Sequence, residues 1–94
     1  METEAVCAIS VLFDLYCMKY PDVKDASKTA SQRKYAFLMM SHMQDGKTML
    51  ESEIRKKWGN TPDVSKALRI LVSLGYLQRT GSGGRQAPFQ YIMQ

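Results

Sequence analysis

Apolar positions along the chain fall into four patterned stretches separated by polar punctuation. Ala5, Ala8, Ile9, Leu12, Phe13 and Tyr16 recur at intervals of three and four, which predicts a helix from about Thr3 to Tyr20, closed by Pro21. Val6, Val11, Leu15 and Met18 make that helix apolar on its other side too. Such a wide stripe is either packed inside the monomer or used partly as an interface with a second chain. A polar link, PDVKDASKTA, follows. A second helix is predicted from about Ser31 to Gln44, with Tyr35, Leu38, Met39 and His42 on one face, Ala36, Met40 and Met43 beside them, and Gly46 at its close.

After Gly46 the pattern tightens. Thr48 followed three residues later by Glu51 has the form of a capping box, opening a short helix in which Leu50, Ile54 and Trp58 turn inward and which stops near Gly59. Asn60 or Thr61 then serves as N-cap, Pro62 suits the first helical position, and Asp63 sits at the positive end of the helix dipole. In this third helix, residues 62 to 74, Val64, Ala67, Leu68, Leu71 and Val72 form the buried stripe, whereas Ser65, Lys66, Arg69 and Ser73 turn away from it. Tyr76 to Thr80 and Pro88 to Met93 have strand composition, and the glycines at 81, 83 and 84 permit a hairpin tip between them. The expected fold is therefore mainly α with a small β-hairpin, in one domain covering residues 1–94.

Charge changes the picture because it is unevenly placed. The whole chain carries +4, with five Lys and Arg against six acids before Lys47, and eight against three from Lys47 onward. An anionic partner is therefore to be sought on the C-terminal half. Cys7 and Cys17 lie ten positions apart in one helix and cannot bridge, which implies a reduced, intracellular setting. The apolar run of the first helix is broken by Ser10, Asp14 and Lys19, too short for a membrane span, so no membrane partner is expected.

Two helices joined by a tight turn, the second with an exposed basic face, match a helix-turn-helix. The spacing from Ile54 through Gly59 to Ala67, Leu68 and Leu71, then Gly75, Tyr76 and Leu77, resembles the winged-helix branch of that superfamily. The likeness covers about half the chain, and the winged-helix core it implies spans residues 31–94, preceded by an additional N-terminal helix at residues 3–20. The stretch ALRILVSLGYLQRTGSGGRQAPF is further similar to the last helix and wing of linker-histone globular domains, with Phe89 closing the wing. That resemblance implies duplex binding through charge and shape, and a nuclear address. The long lysine-rich tail of that family is lacking, which argues against a chromatin-compacting role.

The expected function is double-stranded DNA binding in transcription or chromatin regulation. Ser65, Lys66 and Arg69 are placed to reach base edges or phosphates, Asn60 and Thr61 to approach a phosphate at the helix N-terminus, Lys56 and Lys57 to touch backbone, and Arg79 and Arg85 to extend from the wing. The GSGG run is not a phosphate-binding loop, because no Gly-Lys-Ser/Thr follows and it opens no helix. His42 is the single histidine and has no ligand-like neighbours in sequence, so it reads as a boundary residue. Neither a metal, a cofactor nor an enzymatic constellation is indicated. The competing expectation is a winged-helix protein-interaction or homodimerisation module that uses the apolar N-terminal helix. Unopposed positive charge favours the first reading, and an exposed apolar patch with paired basic residues favours the second.

Overall fold

In the computed structural model, residues 14–44 and 46–94 are described. They form five helices and three short strands: α1 (residues 14–19), α2 (Pro21–Ala26), α3 (Ala30–Met43), β1 (Thr48–Leu50), α4 (Glu51–Trp58), α5 (Pro62–Ser73), β2 (Leu77–Thr80) and β3 (Gln90–Met93). The fold is mainly helical with a small antiparallel sheet, as the pattern predicts. Most of the N-terminal stripe, from Ala5 to Phe13, lies outside the described residues.

Three sequence expectations are corrected. The first concerns the link after Pro21, whose opening six residues are helical. Pro21 stands at the start of α2, Asp22 lies in its first turn, and Val23 is fully buried, so one apolar anchor suffices to dock the turn. The second concerns Thr48, which does not cap α4. Its backbone belongs to β1 opposite Ile92, and the N-cap is Leu50, whose N–H donates to Glu53 Oε1 at 3.0 Å. Strand pairing takes the backbone that a cap at Thr48 would need. The third concerns the inward face of α3, which is Gln32, Ala36, Met39, Met40 and Met43, while Tyr35, Leu38 and His42 are half-buried. Contact with α5, the most extensive in the fold, selects that face.

α5 is built as its sequence dictates. Thr61 Oγ1 accepts the Val64 N–H at 3.4 Å, Pro62 begins the helix, and Val64, Ala67, Leu68 and Leu71 are buried. Its end is a Schellman motif: the Tyr76 N–H donates to Leu71 O at 2.9 Å and the Gly75 N–H to Val72 O at 3.1 Å. The chain leaves directly into β2.

The sheet has the order β1-β3-β2, with every pairing antiparallel. Met49, Tyr91 and Arg79 stand in one cross-strand row. Met49 and Tyr91 are buried at 8% and 3% exposure. Period-two alternation places Arg79 on the same side of β2 as buried Leu77, the side that faces the helices. At the sheet edge this places Arg79, itself exposed, on the side of the sheet that α5 covers.

Candidate nucleic-acid interface

Between α4, α5 and the sheet lies a cleft of about 290 Å³ whose lining includes Glu51, Arg55, Ser65, Arg69, Arg79 and Tyr91. Helical periodicity accounts for α5's share: Ser65 and Arg69 are four residues apart and share a face. Arg55 enters from α4 and is fixed on three sides. It donates from Nη1 to Asn60 Oδ1 at 2.8 Å and to Ser65 Oγ at 3.1 Å, and from Nη2 to Glu51 Oε1 at 3.3 Å. This network ties the end of α4, the turn at Asn60 and the first turn of α5 together.

Glu51 is the one carboxylate lining the cleft, and it is occupied. It pairs with Arg55 and accepts the Tyr91 hydroxyl at 3.2 Å. Burial pushes the Tyr91 phenol up, the neighbouring Glu51 charge adds to that, and Arg79 opposes it. Arg55–Glu51 is the only ion pair among the described residues. Arg69 and Arg79 therefore face the cleft without a carboxylate of their own there.

The geometry of the segment joining β2 to β3 is also specific. The Arg79 guanidinium lies 4.6 Å from the Phe89 ring centroid. The loop between β2 and β3 folds on itself, with the Ser82 and Gly83 N–H groups donating to Ala87 O at 3.0 and 2.9 Å. Gly83 rests against Phe89, so closely that a Cβ there would lie 2.7 Å from Cε2 of the ring.

The nine residues singled out from the sequence are thus distributed unequally. Ser65, Arg69 and Arg79 line the cleft, and Asn60 joins it through Arg55. Thr61 is occupied as the α5 N-cap, though it remains exposed. Lys66 lies on the opposite flank of α5, in a groove that Arg69 shares. Lys57 is 5.7 Å from the Trp58 ring centroid, and together with Lys47 it adds to the depression that burial imposes on the His42 imidazole, so it belongs to the α3 side of α4. Lys56 and Arg85 are exposed, Arg85 within the loop. Arg55, Glu51 and Tyr91 were not anticipated. The i, i+4 spacing of Glu51 and Arg55 was the available signal for two of them.

Among the described residues no group of three or more His, Cys, Asp or Glu can hold a metal ion, and no helix is long and apolar enough to cross a membrane. Comparison with protein-family models, with curated proteins and with solved structures returned no match.

Proposed function

We propose that this chain binds double-stranded DNA as a winged helix-turn-helix, with α5 lying in the major groove and the β2–β3 loop as the wing. The observation that carries the reading is the convergence of Arg69 from α5 and Arg79 from β2 on one cleft, which Arg55, fixed by Asn60, Ser65 and Glu51, also lines. Guanidinium groups held in a fixed fork suit phosphate oxygens, and their partners here are few enough to leave donors free. Supporting it, α4 and α5 are joined by a turn of three residues, and a hairpin follows α5 immediately. Asn60 and Ser65 serve this function partly through Arg55, as positioning residues.

A heteronuclear NMR titration with a generic duplex tests the proposal. Shifts concentrated on Arg55, Ser65, Arg69, Arg79 and Tyr91 are expected. Shifts confined to α1 would overturn it.

One observation favours a second reading. Among the described residues, Leu15 and Met18 on α1 are the exposed large hydrophobics, at 56% and 78% exposure, which is the feature a protein-docking module requires. The same titration, repeated without DNA across protein concentrations, reads self-association at α1 directly.

A further inference from the structure

α5 is flanked by cationic concavities on both sides, and only one of them touches the wing. The second is a groove of about 160 Å³ between α5 and the α2–α3 junction, lined by Ala26, Lys28, Gln32, Lys66, Arg69 and Ile70. Among the described residues its lining contains three cations and no carboxylate. Asp63 lies one turn before Lys66, but it is not part of the lining and forms no ion pair with it.

Gln32 is the chemically informative member. Its side chain is buried, with the residue at 3% exposure, and its Oε1 accepts the Lys28 N–H at 2.9 Å. Its own N–H is taken by Thr29 Oγ1 at 3.2 Å. The carboxamide is thereby oriented, with its NH₂ open to the groove. An oriented amide donor on the wall of a groove lined by three cations is matched by an oxygen-rich anion.

Resting on the duplex-binding reading above, we infer that this groove is a second phosphate site, formed by Lys28, Gln32 and Lys66 with Arg69 shared between the two concavities. It takes a phosphodiester of the strand opposite to that held at the Arg55–Arg69–Arg79 cleft. A helix lying in the major groove is bounded by one backbone on each side, so phosphate sites on its two flanks belong to different strands. The α2–α3 junction, polar and featureless in sequence, then becomes part of the DNA-binding surface.

The test compares duplex affinity at several salt concentrations for the parent chain, Lys28→Ala, Lys34→Ala and Arg79→Ala. Lys34 is an exposed α3 cation outside the groove, so its variant removes the same charge without the site. Loss of about one unit of salt slope in Lys28→Ala but not in Lys34→Ala supports the second site. An Arg79→Ala effect with Lys28→Ala unchanged, or equal losses in both lysine variants, overturns it while leaving the duplex reading standing. Absence of duplex binding by the parent overturns both. In a second arm, the Gln32 side-chain amide resonances shift with duplex and not with inorganic phosphate at matched ionic strength. A response to inorganic phosphate alone overturns the assignment to a nucleic-acid backbone.

Discussion

The guanidinium of Arg79 sits over the ring of Phe89, 4.6 Å from its centroid, and Gly83 rests against the same ring. The glycine-rich loop is therefore seated on an aromatic base instead of swinging free, and the arginine that faces the cleft is held by the same contact. Replacing Phe89 by Leu preserves apolar bulk and removes the ring quadrupole. We expect a stability loss of about 0.5–1 kcal/mol by chemical denaturation, together with weaker duplex binding as Arg79 loses its orientation. Unchanged stability and affinity would show that the ring does not hold the arginine.

Two loop glycines should respond differently to alanine. Gly81 has φ +93°, and a Cβ there would strike backbone atoms of Ala87 and Pro88, with Ala87 O at 2.9 Å. Gly84 has open space and no positive φ. Gly81→Ala should lower the midpoint of thermal unfolding by several degrees, corresponding to about 1 kcal/mol or more. Gly84→Ala should leave it nearly unchanged. Equal effects would contradict the described loop path.

Much of this was legible beforehand, where local chemistry decides the outcome. Thr61, Pro62 and Asp63 announce α5, and its stripe follows the helical period, with Val64, Ala67, Leu68 and Leu71 buried and Val72 half-buried at its margin. β1 was not legible, because three residues carry no usable alternation and its pairing partner, β3, lies some forty positions away. α2 was missed because a single apolar residue, Val23, anchors it. The start of α3 carries a signal, since Thr29 followed by Gln32 has the form of a capping box; only the Thr29 half forms, Gln32 Oε1 accepting the Lys28 N–H instead, and apolar spacing alone points one residue late, to Ser31. The candidate site was half legible. Helical spacing brought Ser65 and Arg69 to one face, but that Arg79 meets them depends on strand register, and Arg55's role depends on a turn that returns Asn60 to it.

Glu51 has opposing duties, which a neutral replacement separates. Its pair with Arg55 has both side chains 29% exposed, so the ion pair contributes only about 0–1 kcal/mol. In Glu51→Gln the cleft loses its one negative charge. Thermal stability should fall slightly while duplex affinity rises. Weaker binding at unchanged stability would mean that Glu51 matters more for aiming Arg55 than for opposing the ligand.

Three tyrosine phenols are held above their ordinary range in the fold. Burial raises the Tyr16 phenol, with Tyr20 and Tyr76 adding to it; burial and the hydrogen bond to Asp22 raise Tyr76; burial and Glu51 raise Tyr91. Each folded-state value lies above the ordinary 10.0, so the native state holds these protons more tightly than the unfolded chain. Their contribution is complete below about pH 10 and is lost as pH rises through the folded values. Denaturation midpoints measured at rising pH should fall above that point. Tyr76→Phe removes one of the three linked protons, and its hydroxyl bonds to Asp22 at 2.8 and 2.9 Å, so its curve should be shallower. An identical slope in parent and variant would contradict this assignment.

The most direct measurement is the salt dependence of duplex affinity for the parent chain and the Arg69→Ala/Arg79→Ala double variant. Both side chains are exposed, so the variant should fold as the parent does, which circular dichroism verifies. The slope of log affinity against log salt should shrink by about two units, one for each phosphate contact removed. A variant that binds duplex with the parent's affinity and slope would contradict the claim that α5 and the wing converge on DNA.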